Sequence, residues 1–276
     1  MTDADPRVAV VTALGVEYES MRRHLAPVRS RMAAGETDVE VYDLPGSPWQ
    51  VALTEAGPGA GNAAVVIERV IRRLRPQALL FVGIAGALSA ELSIGDVVVA
   101  TRVYAFEGGK STPEGFYARP QSWHPSHRML QTARAVLRDD TGVHFRPVAA
   151  GDVVLNDTRS LVAQLKRHYN DAVAIEMEGT SMAHAAHLTY EMDTLTIRGI
   201  SDRADADKAI QDTQGSQRHA AARAAETAVA VLRALRPQPD RRDSEVRISG
   251  DRIDFHGSMF FGPVVGKAVG EPPRED

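Results

Sequence analysis

The sequence predicts a Rossmann-like three-layer α/β/α fold with a mostly parallel central sheet. Short continuous runs of Val, Ile, Leu and Ala alternate with longer runs whose apolar residues recur at helical spacing. Strands that are apolar on both faces are typical of parallel sheets covered by helices. Ligands of such open sheets bind beyond the carboxyl ends of the strands, so functional side chains are expected there.

Strands and helices alternate over most of the chain, and turn residues separate them. Strands are predicted at residues 8–13, 39–44, 50–55, 78–82, 96–103 and 145–149, in the run 171–179, and at 194–200. Helices are predicted at residues 17–25, 62–74, 126–138, 158–168, 180–188 and 216–235. A long polar loop is expected at residues 106–125.

The composition changes near residue 236. Residues 237–244, which contain two prolines and mostly polar or charged side chains, read as a linker. Residues 246–257 alternate apolar and polar residues and would suit a short hairpin. We therefore predict one domain over residues 1–236, followed at 237–276 by a linker and a hairpin-like or disordered tail.

Bulk composition excludes several classes of protein. The chain has 276 residues and a formal net charge of −4, which disfavours nucleic acid or an anionic membrane as the main partner. It has no cysteine, so disulfides, thiol catalysis and cysteine-ligated zinc are excluded. The polar, acidic start is unlike a signal peptide, and no apolar run is long enough to span a membrane. A cytoplasmic location is expected.

No metal site is predicted. The histidine pairs His124/His127 and His184/His187 have no acidic partner at a metal-ligand spacing. Structural roles are expected for both pairs.

Two neighbouring predicted strands end in acidic residues. The first ends in Glu176, Met177 and Glu178, and the second ends in Ser201 and Asp202. Carboxylates at the ends of buried strands are costly unless they have a partner or a use. Both strands would bring their acids to the same edge of a parallel sheet, which suggests a reaction centre.

Four segments, in order, resemble the nucleoside phosphorylase and nucleosidase superfamily. They are residues 13–17 after the first strand, Gly-Ile-Ala-Gly at 83–86, residues 174–179, and residues 198–205. The likeness spans about residues 8–235 and is greatest to the 5′-methylthioadenosine/S-adenosylhomocysteine nucleosidase branch. It implies the nucleoside phosphorylase fold and cleavage of a purine–ribose bond.

The resemblance implies roles for four residues. Asp202 would protonate the leaving purine, and Glu17 would activate the attacking water, as an acid and a base do in inverting glycosidases. Glu178 would hold the ribose hydroxyls, and Met177 would pack against the ribose. Ordinary structural roles compete with these, since Asp202 would also suit a helix cap and Glu17 a first-turn glutamate. Glu176 would point to the opposite side of its strand and is predicted to be structural.

Further substrate contacts are implied around this centre. Backbone groups near Leu155 would read the adenine edge, Val154 stands where a stacking phenylalanine is usual, and Asp152 would reach the base or close the turn. Ile84 stands where many relatives carry serine. Gly59 belongs to a glycine-rich turn whose N–H groups would suit an anion or a sugar oxygen. The other implied substrate contacts are Gly86 and Ser201.

The loop after the fifth predicted strand is basic. Lys110 and Arg119 would suit a 5′ phosphate chain. A surface loop with ordinary charges is the alternative. Residues 109–111 imitate the end of a phosphate-binding P-loop, but the glycine required five residues earlier is Tyr104, which excludes that motif.

The resemblance implies a purine nucleosidase that hydrolyses the N-ribosyl bond of an adenine-type nucleoside and needs no cofactor. Three alternatives remain open: an effector of bacterial or antiviral defence that cleaves ATP or a related nucleotide, a purine nucleoside phosphorylase, and a non-catalytic nucleotide-binding sensor or assembly module. A homodimer or larger homo-oligomer is expected. The tail would suit a protein partner.

Overall fold

The computed structural model describes residues 6–113, 115–119, 121–151, 158–177, 192–203 and 213–238. The chain divides into two units, Met1–Pro237 and Gln238–Asp276. The predicted helix at 180–188 and the predicted hairpin at 246–257 lie outside the described residues.

The described strands and helices follow the predicted alternation. The strands are β1 Arg7–Thr12, β2 Ser30–Ala34, β3 Thr37–Asp43, β4 Gln50–Glu55, β5 Ala78–Ala87, β6 Val97–Ala105, β7 Gly109–Thr112, β8 Gly115–Ala118, β9 Gln121–Trp123, β10 Val143–Ala150, β11 Ala174–Glu176 and β12 Asp193–Arg203. The helices are α1 Gly15–Arg22, α2 Ala60–Leu74, α3 His127–Val136, α4 Thr158–His168 and α5 Thr213–Ala234.

The central sheet of the described chain has the strand order β11-β10-β6-β12-β5-β1-β4-β3-β2, and β9 pairs with β6. The strands β4, β1, β5 and β12 are parallel neighbours, and so are β6, β10 and β11. Antiparallel pairs join β12 to β6 and attach β3 and β2 at one edge. The parallel centre brings the carboxyl ends of β1, β4, β5 and β12 together.

Helices cover both faces of this sheet, which confirms the predicted three layers. On one face Val8 and Val10 of β1 belong to a core that includes residues of α1, α3 and α5. On the other face Ala9 and Val11 pack with Ile67 and its neighbours in α2. Alternate residues of one strand thus enter different cores, as expected for a strand buried on both faces.

Three predictions differ from the structure. The strand predicted at 78–82 continues to Ala87, because β5 pairs with β12 along its whole length. The range 106–125, predicted as loop, contains the β7–β8 hairpin and the short strand β9. Strand β2 was not predicted, since it lies at the sheet edge and is mostly exposed, so it lacks an apolar run.

The described residues contain neither a membrane-spanning helix nor a metal-binding cluster. No helix there is both long and apolar enough to cross a membrane. Nor does that part of the chain contain a cluster of three or more His, Asp or Glu side chains that could hold a metal ion.

Candidate active site

The carboxyl ends of four parallel strands form the edge on which the candidate residues lie. Glu17 is in the first turn of α1, just after β1, and Asp202 is near the end of β12. The glycine-rich turn that contains Gly59 follows β4, and Gly86 is near the end of β5. The parallel register of these strands places all four features at one edge.

Glu17 is buried, and backbone N–H groups hold its carboxylate. Only 3% of the residue is exposed. The N–H groups of Ala13 and Leu14 donate to Oε2 at 2.8 and 3.0 Å. The N–H of Ile84, in β5, donates to Oε1 at 2.8 Å. The backbone therefore fixes the carboxylate between the end of β1 and the end of β5.

Burial makes Glu17 a stronger base than an ordinary glutamate. Desolvation raises the pKa of Glu17, and this effect outweighs the opposing influence of Arg198 and of the three N–H donors. A carboxylate with a raised pKa holds a proton more tightly. It is therefore suited to removing a proton from a weak acid such as water.

Arg198 is the second buried charged group of this site. It lies in β12 and is 0% exposed. Its Nη2 donates to Oε2 of Glu176, and its guanidinium carbon lies 3.9 Å from the centre of the Phe81 ring. The ion pair and the cation–π contact hold the guanidinium in one plane.

Gly83 allows Arg198 and Glu17 to approach each other. A Cβ atom on Gly83 would lie 2.1 Å from Nη1 of Arg198 and 2.7 Å from Oε1 of Glu17. Among the described residues no direct hydrogen bond or ion pair joins these two side chains. One water molecule could bridge groups separated in this way.

Asp202 lies at an irregularity in β12. The pairing with β5 shifts register between Ile200 and Asp202, and Asp202 then pairs with Gly86. Such a bulge redirects a side chain at the end of a strand. The buried Ser201 hydroxyl donates to Oδ2 of Asp202 at 2.9 Å. Ser201 therefore orients the carboxyl group of Asp202.

The strand order sets the spacing between Glu17 and Asp202. Strands β1 and β12 lie on either side of β5. Neighbouring strands are about 4.8 Å apart, so the ends of β1 and β12 are roughly 10 Å apart. Glu17 and Asp202 therefore belong to segments on opposite sides of β5.

The remaining sequence-predicted residues are placed as follows. Met177 directly follows β11, whose residue Ile175 pairs with Gly86. The turn before α2 has left-handed backbone at Gly57 and Gly59, which explains why glycine stands at both positions. Outside the described residues lie Glu178, Asp152, Val154 and Leu155.

The structure locates Lys110 and Arg119, and their contact with a 5′ phosphate chain stays a prediction. Lys110 lies in the β7–β8 hairpin and Arg119 directly follows it, and both are exposed. Within the described part of the chain neither side chain forms a hydrogen bond or ion pair with Glu17 or Asp202.

Sequence reasoning missed Arg198 and Phe81 as parts of this site. A signal was present, because Arg198 is a charged residue between Ile197 and Gly199 in the buried middle of its strand. A charge in a buried strand requires an opposite charge nearby. The opposite charge is that of Glu176, for which the sequence predicted only a structural role.

Comparison with known proteins places this geometry in a family. The model of the phosphorylase superfamily matches residues 7–233. A 5′-methylthioadenosine/S-adenosylhomocysteine nucleosidase of Maridesulfovibrio salexigens is 28% identical over 192 residues, which cover 67% of this chain and 82% of that protein. The Desulfotalea psychrophila protein of the same name is 29% identical over 160 residues, which cover 56% of this chain and 67% of that protein.

Solved structures show the same fold. The nucleosidase of that name from Neisseria meningitidis, in complex with methylthio-immucillin-A, has a TM-score of 0.73 at 24% identity, with 83% of this chain and 99% of that chain covered. The futalosine hydrolase of Helicobacter pylori has a TM-score of 0.73 at 18% identity, with 84% and 99% covered. The family match spans most of the folded chain and all strands of the edge described above, and the protein belongs to the phosphorylase superfamily.

Proposed function

We propose that the protein is a purine nucleosidase, which hydrolyses the N-ribosyl bond of an adenine nucleoside such as 5′-methylthioadenosine or S-adenosylhomocysteine. The observation that carries this proposal is the pair of carboxyl groups at the carboxyl ends of β1 and β12, the two strands that flank β5. Glu17 is buried with a raised pKa, and Asp202 is oriented by Ser201. The names of the relatives support the adenine nucleoside as substrate.

In the proposed reaction Glu17 takes a proton from water as the water oxygen attacks C1′ of the ribose. The bond between C1′ and the purine nitrogen breaks, and its electron pair goes to the base. Asp202 donates a proton to the base, which leaves as neutral adenine. Glu17 ends protonated and Asp202 ends ionised, and proton exchange with solvent restores both groups.

Arg198 fits a further role in this reaction. Its Nη1 lies beside Oε1 of Glu17 at a separation that one water molecule could span. We infer that the attacking water binds between these two groups. The N–H of Ile84 would keep Glu17 facing that water. Residue 84 thus contributes to the site through its backbone, although its side chain is an isoleucine where many relatives carry a serine.

The finer features of the substrate stay proposals. We infer that Leu155, Val154 and Asp152 contact the base and that Glu178 holds the ribose, in keeping with the resemblance of their segments to the family. A futalosine hydrolase has the same fold, so the fold alone does not identify the substrate. A homodimer or larger assembly also stays a prediction, which sedimentation would test.

Release of free base tests the proposal. The protein is incubated with methylthioadenosine, S-adenosylhomocysteine, adenosine, inosine, AMP and ATP, each with and without phosphate, and the free base is measured by chromatography. We expect adenine from the first two substrates at a rate that phosphate does not change. Release that requires phosphate would show a phosphorylase, and no release from any substrate would contradict an enzymatic function.

A further inference from the structure

Glu176 is a buried carboxylate to which the proposed reaction gives no part. It is the last residue of β11, and its side chain is 1% exposed. Its partner Arg198 is 0% exposed and comes from β12, a strand that does not pair with β11. The pair therefore joins two parts of the sheet edge next to the candidate site.

Stability alone is a poor reason for this pair. Removing two charges from water costs several kcal/mol per ion, and the attraction between them often only offsets that cost. Apolar residues of similar size would fill the same space at least as well in many proteins. A role in fixing the geometry of Arg198 accounts better for the presence of both charges.

Three contacts define the position of Arg198. Nη2 binds Glu176, the face of the guanidinium lies on Phe81, and Nη1 lies beside Oε1 of Glu17 at Gly83. One cation therefore stands between two buried carboxylates. Among the described residues, Arg198 forms a direct hydrogen bond with Glu176 but not with Glu17.

We propose that Glu176 is a positioning residue of the reaction, which holds Arg198 by Nη2 so that Nη1 faces Glu17 without pairing with it directly. The inference rests on the proposed function, because Glu17 is the base in that reaction. A directly paired Glu17 would be a weaker base, and the place for a water molecule between the two groups would be lost.

The groups around Glu17 are consistent with this positioning role of Glu176. Arg198 faces Glu17 from β12, with Glu176 of β11 behind Arg198, while the turn between β1 and α1 and strand β5 present backbone N–H groups. Glu55, at the end of β4, is exposed and lies next to Gly15 rather than in this buried space. The pKa of Glu17 stays raised by burial although Arg198 opposes that shift.

The test is the pH profile of kcat and kcat/KM for Glu176→Gln, with methylthioadenosine as substrate. Glutamine keeps the volume and can still accept a hydrogen bond from Nη2, but it removes the negative charge. Arg198 then acts on Glu17 alone, which lowers the pKa of Glu17. We expect the acid limb of the profile to move to lower pH, kcat to fall by on the order of 100-fold, and KM to change little.

Asp193→Asn is the matched control. Asp193 also pairs with a partly buried arginine, Arg128, and it lies in β12 at the end far from Glu17. This variant should lose stability but keep the wild-type kcat and the wild-type position of the acid limb of the pH profile. A shift that follows Glu176→Gln but not Asp193→Asn is therefore specific to the site.

The outcomes separate this inference from the proposed function. An inactive wild type would overturn the proposed function. An active wild type with a folded Glu176→Gln variant of unchanged kcat and pH limb would overturn the positioning role. If Glu176→Gln does not fold, Glu176→Asp decides: it keeps the charge but shortens the side chain, so a lower kcat at unchanged KM supports the role, and wild-type kcat overturns it.

Discussion

At the scale of single residues, the environment of Glu17 bears most directly on catalysis. Its carboxylate is buried and yet accepts three backbone hydrogen bonds, so its position is fixed while its pKa is raised. The rate should therefore depend on the ionised form of Glu17. Activity should be present above the raised pKa and lost as the pH falls through it.

The raised pKa of Glu17 has the opposite pH dependence for stability: activity needs the ionised carboxylate, whereas folding favours the protonated one. The folded protein binds this proton more tightly than the unfolded chain does, because burial raises the pKa of Glu17. The contribution to stability is full below the unfolded pKa and is lost as the pH rises through the folded pKa. Glu17→Gln should remove this part of the pH dependence, measured by denaturant unfolding across pH, and should lower kcat by about 10²–10⁴-fold. Wild-type kcat in this variant would contradict the role of Glu17 as base.

Asp202→Asn tests the second carboxyl group. Asparagine keeps the size of the side chain but cannot donate the proton that the leaving base needs. We expect kcat to fall by about 10²–10⁴-fold while binding of a non-hydrolysable substrate analogue changes little. The exposed Asp139→Asn is the control for the loss of one carboxylate. If Asp202→Asn kept the wild-type rate, another group would be the acid.

At the scale of elements, the close approach of β5 and β12 at Gly83 assembles the site. A methyl group on Gly83 would collide with Arg198 and Glu17, and both side chains would have to move. Gly83→Ala should therefore lower kcat and destabilise the fold by roughly 1–3 kcal/mol, the usual cost of overpacking a core.

Gly61→Ala is the control for the glycine substitution. Gly61 lies in α2, and a Cβ atom there would meet nothing within 4 Å. Alanine is a better helix former than glycine, so this variant should be neutral or stabilised by about 0.5–1 kcal/mol. Thermal unfolding and kcat measured on both variants check the pair of predictions. Equal effects of the two substitutions would contradict the account of Gly83.

Elements whose pattern is local could be predicted from the sequence. Residues 50–55 and 158–168 were predicted with the bounds of β4 and α4, because turn residues flank the first and helical spacing marks the second. Strand β2 and the β7–β8 hairpin could not, since β2 is mostly exposed and each strand of the hairpin has only four residues. Glu17 and Asp202 could be proposed as site residues because strand ends could be located and because their segments resemble the family. The contacts of Arg198 could not be found, because they depend on three strands that meet only in the folded sheet.

At the scale of the whole molecule, the larger unit ends near the amino ends of the parallel strands, whereas the site lies at their carboxyl ends. The Nε1 of Trp49, just before β4, donates to the carbonyl oxygen of Leu235 at 2.7 Å. Nη1 of Arg128, which also pairs with Asp193 at the start of β12, donates to the carbonyl oxygen of Arg236 at 2.7 Å. Asp193 and Asp202 are on the order of 30 Å apart along β12, given the rise of a strand. The chain therefore leaves this unit far from the proposed reaction centre.

Removal of the residues after Pro237 should leave catalysis intact. Leu235 and Arg236, which directly follow α5, keep their contacts with Trp49 and Arg128 in the shortened chain. We expect kcat and KM for methylthioadenosine within about twofold of the wild type and a similar melting temperature, because surface changes away from such contacts usually cost little. Loss of folding on this deletion would show that the tail belongs to the core or to an oligomer contact.

The most direct test of the account is the rate of adenine release from methylthioadenosine in phosphate-free buffer, followed for the wild type beside Asp202→Asn. The account predicts steady release by the wild type, no acceleration when phosphate is added, and a loss of about 10²–10⁴-fold in the variant. Release that begins only when phosphate is present, or equal rates for the two proteins, would contradict it.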